Sequence, residues 1–260
     1  MMTHKHNWPR WIAHRGAGHL APENTLAAIR LGYSKGWRMF EVDITLTSDH
    51  QPVLMHDETL RRTTGLDQHV ADTSSSDLRT LDAGRWHSPL YAGEPVPSLA
   101  QVARFCLANT SWINLEIKPT TGLAEVTGRE VARATQALWS TRATSRCAPM
   151  PLFTSFEPAA LASACAIAPE IPRGLLIDTL ETDWVTTLRV LGAQVLVCDH
   201  TLITPELLQH TRELSVHCLA YTVNDPKRAQ QLLEWGVRSI ITDALDEIDP
   251  TDSTQPSWLN

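Results

Sequence analysis

The chain has 260 residues, 43% of them hydrophobic and 20% charged, with a formal net charge of −7. A chain of this length can bury a sizeable core without disulfide or metal staples. The acidic balance excludes the broad cationic field that nucleic acid or an anionic lipid surface would require, so any phosphate must be met locally, by a few placed cations or a metal.

Five cysteines (Cys106, Cys147, Cys165, Cys198 and Cys218) are odd in number and widely spaced, with no C-x-x-C pair, which fits reduced thiols. The opening MMTHKHNWPRW has neither an apolar h-region nor a small-residue cleavage site. No apolar run approaches the ~18 residues of a membrane span. A cytoplasmic protein without stable membrane association is the expectation, and the oligomeric state stays open. His4 and His6 read as part of a polar terminus rather than as metal ligands.

In chain order, short β-like runs alternate with amphipathic stretches. RWIAHR predicts the first strand and TLAAIRLGYSKG the first helix. MFEVDITLT predicts the second strand, with PVLMHD close behind. A long polar stretch then runs from Asp57 to Ser98, too long for an ordinary strand-to-helix loop. After it come SLAQVARFCLA (helix), WINLEIKP (strand), GREVARATQALW (helix), PLFTSF (strand) and PAALASACAIA (helix). The series ends with the strands GLLID, VLVCD, HCLAYTV and SIITD, separated by the helices DWVTTLRVLG, PELLQHTREL and PKRAQQLLEWG. In the last helix Asn224 or Asp225 can cap the start, Pro226 suits the first turn and Gly236 the close. About eight such units in ~250 residues match the size of a TIM (β/α)8 barrel. The expectation is one barrel domain over residues 1–250 with a small insertion at about 57–98, followed by a polar tail, 251–260. A doubly wound open sheet is the alternative, and everything from Asp246 onward reads as mostly unpacked.

Side chains at i and i+2 of a strand share a face. In FEVDI, Glu41 and Asp43 therefore share one side, and in LEIKP so do Glu116 and Lys118. Charges on the face of a buried parallel strand must be paired or bound to metal, whereas a solvated edge strand would carry either pair alone. Side by side in a barrel, Glu41, Asp43 and Glu116 converge into an all-oxygen site suited to Mg²⁺ or Ca²⁺ rather than zinc. Lys118 and Arg15 add positive charge for an anion with several oxygens, such as a phosphodiester. His14 and His56 each end a strand beside this cluster, where imidazole suits acid–base work near neutral pH. Ser155, Asp178, Asp199, Tyr221, Asn224 and Asp243 also fall at strand ends and read as helix caps as readily as site residues. Trp86, Phe156 and Tyr221 are candidates for contact with the rest of a substrate. The remaining histidines read as surface or packing residues.

His14-Arg15-Gly16, Pro22-Glu23-Asn24-Thr25, Glu41-x-Asp43, Pro52-Val53 through His56-Asp57, and Glu116-Ile117-Lys118-Pro119 resemble the signature of the glycerophosphodiester phosphodiesterase family. The order and spacing match, as does the insertion after the second strand. RGLLID, YTVNDPKRA and WGVRSIITDA extend the similarity, which looks closest to the cytosolic bacterial branch linked to glycerol-phosphate uptake. The resemblance implies that His14 and His56 are the acid–base pair, that Glu41, Asp43 and Glu116 hold a divalent cation, and that Arg15 and Lys118 contact phosphate. It implies hydrolysis of a small glycerophosphodiester to sn-glycerol 3-phosphate and an alcohol; the sequence does not order the two histidines, and His14 as base with His56 as acid is the working assignment. The rivals are a related phosphodiesterase acting on lysophospholipids, which should carry an apolar or basic rim, and a non-catalytic phosphodiester-binding protein.

Overall fold

The computed structural model describes residues 7–140 and 148–251; His4, His6, Cys147 and residues 252–260 lie outside them. Among these residues nine strands run in chain order: β1 (Trp11–Ala13), β2 (Met39–Leu46), β3 (Pro52–Leu54), β4 (Trp112–Ile117), β5 (Leu152–Ser155), β6 (Arg173–Ile177), β7 (Val195–Asp199), β8 (His217–Tyr221) and β9 (Ser239–Thr242). Helices α1 (Leu26–Ser34), α4 (Leu99–Asn109), α5 (Ala124–Ser140), α6 (Pro158–Ile167), α7 (Trp184–Leu191), α8 (Pro205–Glu213) and α9 (Pro226–Trp235) connect successive barrel strands. The short helices α2 (Arg61–Thr64) and α3 (Ser75–Leu78) lie within the polar stretch.

Every strand except β3 pairs in parallel, in the order β1-β9-β8-β7-β6-β5-β4-β2, and Ala13 opposite Phe40 closes β1 onto β2. The closed eight-stranded barrel replaces the open-sheet alternative. PVLMHD does form a strand, but β3 turns back antiparallel on β2, with Val53 opposite Thr45, and stands outside the barrel. The polar stretch is ordered around a small core of its own, built from Val53, Met55, Leu60, Val70, Leu78, Ala83 and Val96.

The two sides of the barrel wall differ. Phe40, Val42, Ile44, Leu115 and Ile117 face outward into the helix layer. Ile12, Met39, Leu152, Val195, Val197, Leu219 and Ile241 cluster inside it, with Trp8 packed against them. Burying side chains of this size contributes about 1.5–3 kcal/mol each, so this plug is a large part of what holds the strands in register. Helix ends follow local chemistry: Thr25 caps α1, Ser98 and Gln101 form a reciprocal capping box on α4, and Asp225, not Asn224, caps α9. Residues 246–251 are better packed than their polar composition suggests, because Ile248 joins the main core.

Candidate active site

β1 stops at Ala13, and His14–Gly16 forms a tight turn in which Arg15 takes the left-handed conformation (φ 49°). A non-glycine residue there carries strain of about 1–3 kcal/mol, and the turn aims the Arg15 backbone N–H at Glu41 Oε2, 3.1 Å away. Gly18 permits a second close approach: a Cβ at that position would lie 2.1 Å from the Asp243 carbonyl oxygen. The first and last strands are thereby drawn together at their carboxyl ends.

Along β2, Met39, Glu41 and Asp43 share the inner face, apolar at the start and acidic at the end. Glu41 and Asp43 are each only 2% exposed, which removes the solvated-edge reading of this pair. β4 lies beside β2 in parallel register, Asp43 opposite Glu116, so the three carboxylates meet with ligand oxygens all within 4.8 Å of one another. Asn24 holds Asp43 from two sides, donating to Oδ2 at 2.7 Å and accepting the Asp43 backbone N–H at 3.0 Å. Arg15 Nε stands 3.4 Å from Asp43 Oδ2, and Lys118 Nζ stands 3.3 Å from Glu116 Oε1 and 3.9 Å from Asp43 Oδ1.

Burial and the charge of Asp43 push the Glu41 carboxyl up to about 8, and the same two causes push Glu116 up to about 7. Burial acts on Asp43 in the same sense, but Arg15, Lys118 and the bond from Asn24 oppose it, and this carboxyl is held below the usual range. Glu41 Oε1 is buried with no hydrogen-bond partner. A buried, unpartnered oxygen among three crowded carboxylates is the environment a divalent cation satisfies.

Each histidine is fixed by an aspartate. His14 Nδ1 lies 2.6 Å from Asp243 Oδ1, and His14 Nε2 points to Glu41 Oε2 at 3.8 Å. Burial alone would lower its pKa; the bond to Asp243 and the charge of Glu41 prevail, and the imidazole is raised. His56 Nδ1 lies 2.7 Å from Asp57 Oδ1, and its Nε2 is 3.2 Å from Lys118 Nζ. A cavity of about 180 Å³ opens on the His56 side of the cluster, lined by His56, Glu116, Lys118, Ser155 and Phe156.

All seven residues singled out by the sequence therefore meet at the carboxyl ends of β1, β2 and β4 and in the segment after β3. Residues 14–247 match the glycerophosphoryl diester phosphodiesterase family. The chain belongs to that family. A glycerophosphodiester phosphodiesterase of Caldanaerobacter subterraneus is 31% identical over 233 residues, covering 89% of this chain and 93% of the relative. The fold matches a solved phosphodiesterase of Oleispira antarctica in complex with the product sn-glycerol-3-phosphate, at a TM-score of 0.85 and 32% identity, over 94% of this chain and 97% of that one. A glycerophosphodiester phosphodiesterase from Agrobacterium tumefaciens follows, with a TM-score of 0.75 and 25% identity over 92% and 98% of the two chains.

Several site residues went unassigned in the sequence. Asp243 reads there as a helix cap or a site residue alike; the structure makes it the His14 partner, oriented by the Asn224 side chain, which donates to Asp243 Oδ2 and accepts its backbone N–H. Asp57, Glu23 and Asn24 stand in quoted motifs but gained no role from them. Three other strand-end polar residues make hydrogen bonds that hold the strand ends and loops. Ser155 donates to the Ile117 carbonyl, Asp199 accepts from Thr201, and the Tyr221 hydroxyl donates to the Ile177 carbonyl.

Proposed function

We propose that the chain hydrolyses glycerophosphodiesters to sn-glycerol 3-phosphate and an alcohol, using one divalent cation, Mg²⁺ or Ca²⁺, at Glu41, Asp43 and Glu116. The observation that carries this reading is the convergence of three carboxylates around the buried, unpartnered Glu41 Oε1. An all-oxygen donor set suits a hard cation. When bound, such an ion offsets negative charge on the phosphoryl oxygens. Arg15 and Lys118 flank the same position and supply the remaining positive charge to a bound diester.

Two flanking hydrogen bonds support an order for the histidines opposite to the working assignment. Lys118 Nζ, a donor only, lies 3.2 Å from His56 Nε2, an arrangement that suits Nε2 as the acceptor, while Asp57, held down to about 2 by Arg62, accepts the hydrogen bond from Nδ1–H. His56 is thereby set to accept the proton of the attacking hydroxyl. His14 stands between Asp243 and Glu41, which favours its protonated form and sets it to protonate the departing alkoxide. Each transfer is worth about 10²–10⁴ in rate. A cytoplasmic location is part of the proposal, in line with the unpaired Cys106, Cys165, Cys198 and Cys218. Among the described residues no helix is long and apolar enough to cross a membrane.

One observation favours a second reading, an amphiphilic diester such as a lysophospholipid. Of the seven exposed large hydrophobic side chains among the described residues, six (Leu66, Trp86, Leu90, Leu123, Phe156 and Leu180) lie in segments that follow β2, β4, β5 and β6. The test is release of glycerol 3-phosphate from glycerophosphocholine and glycerophosphoethanolamine with Mg²⁺, Ca²⁺ or EDTA, alongside choline release from lysophosphatidylcholine. Metal-dependent turnover of the small diesters supports the first reading. Turnover confined to the lysolipid transfers the site to the second, and no turnover of any substrate with either metal overturns both.

A further inference from the structure

Arg62 lies outside the short motifs quoted above and touches none of the three clustered carboxylates, yet it makes the densest set of ion-pair contacts at the site. From α2, in the polar insertion, its guanidinium reaches two carboxylates on different segments. It donates to Asp57 from Nε at 2.7 Å and from Nη2 at 3.0 Å. It also donates to Glu23 from Nη1 and Nη2, both at 2.7 Å. These are short, two-pronged contacts on both sides, an arrangement that a planar five-donor fork provides and an ammonium cannot. The Trp86 ring, from the outer part of the insertion, lies 5.8 Å from the guanidinium carbon.

Each carboxylate hands the constraint on. Asp57 Oδ1 accepts both from Arg62 and from His56 Nδ1. Glu23 Oε1 accepts both from Arg62 and from Arg15 Nη1, at 3.0 Å. One side chain thus joins the insertion, which carries the His56 anchor, to the loop after β1, which carries Arg15. Local packing does not require this: the insertion has its own apolar core, and Glu23 is already paired with Arg15.

We infer that Arg62 is a positioning residue which, through Asp57 and Glu23, fixes the His56 ring and the Arg15 guanidinium relative to each other. The inference rests on the phosphodiesterase reading for its kinetic consequence and on geometry alone for its structural one. Outer partners of this kind are typically worth about 10–100-fold. Arg62→Gln is expected to lower kcat/KM on glycerophosphocholine by about that factor, mostly through kcat, with little change in melting temperature. Arg62→Lys should recover only a small part, because it restores charge without the fork.

The test combines three measurements on the full chain. In double-variant cycles, Arg62→Gln with Asp57→Asn, and Arg62→Gln with Glu23→Gln, should each be no worse than the poorer single variant. Methylguanidine should restore part of the activity of Arg62→Ala. The ¹⁵N ring shifts of His56 should show one fixed Nδ1–H tautomer in the wild type and a tautomer mixture in Arg62→Gln, a readout independent of turnover. Wild-type turnover is measured in the same assay, so its absence would count against the proposed function while the ring shifts still decide the role of Arg62. Additive double variants, or an unchanged His56 tautomer in Arg62→Gln, would overturn the inference.

Discussion

The lower and upper ends of the barrel interior are built on the same strands and the same side-chain face, yet they do opposite things. On β2 the inward series runs Met39, Glu41, Asp43; on β9 it continues from Ile241 to Asp243. At the lower end Ile12, Met39, Leu152, Val195 and Leu219 make an apolar plug that needs no partners beyond one another. At the upper end every charged side chain is held by at least one other group, and the three clustered carboxylates remain short of positive charge. The difference teaches that one period-two pattern can serve two purposes. Burial at the start of a strand stabilises the fold, and the same burial two to four residues later raises Glu41 and Glu116, the groups that would hold a cation in the proposed function.

The sharpest break between the two ends is kinetic. His14→Ala and His56→Ala should each lower kcat by about 10²–10⁴ while leaving thermal stability close to wild type, as steady-state rates and melting curves would show. The converse change is Met39→Ala, fully buried in the plug. It should destabilise the fold by about 2–5 kcal/mol in urea titrations, with kcat per folded molecule unchanged. Equal kinetic damage from both classes of variant would erase the distinction. Asp243→Asn is intermediate: it keeps the shape of the His14 partner but not its charge, and should lower kcat by about 10–100-fold.

The smallest effect concerns Asp57, held down to about 2, first by its bonds from Arg62. A carboxylate lowered by folding contributes stability that is complete above its unfolded pKa near 4 and is lost as pH falls toward about 2. Arg62 is 41% exposed, so solvent screening limits the pair to about 1 kcal/mol or less. Urea midpoints of wild type and Asp57→Asn should therefore differ at pH 6 and converge near pH 2.

Much of this was legible in the chain because it is local. Glu41 and Asp43 interrupt an otherwise apolar strand at two-residue spacing, and the repeat of that pattern at Glu116 and Lys118 favours a buried, compensated cluster over a solvated edge. The alternation of strands and helices indicated the barrel, although closure depends on β1 meeting both β2 and β9, which no local window contains. Asp243 was illegible for the same reason. It lies 229 residues from His14, and its own surroundings, SIITDA, describe a strand end that a helix cap would explain equally well. PVLMHD has the composition of a barrel strand, and only the hairpin with β2 sends it outside. Arg62 sits in a polar stretch without periodicity, where four arginines (Arg61, Arg62, Arg79 and Arg85) look alike until the fold brings one of them against Glu23.

In the proposed function the upper carboxylates form a cation site because they are buried together. Calorimetric titration of Mg²⁺ and Ca²⁺ into the wild type and Glu41→Gln, in buffers of different ionisation enthalpy at pH 6 and pH 8, tests it most directly. Burial and mutual repulsion raise Glu41 and Glu116 above the usual carboxylate range, so a cation competes with protons there more strongly at pH 6 than at pH 8. The account predicts one bound ion per chain, proton release near neutral pH, weaker binding at pH 6 than at pH 8, and loss of binding in Glu41→Gln. Equal binding by wild type and Glu41→Gln, or affinity independent of pH, would contradict it.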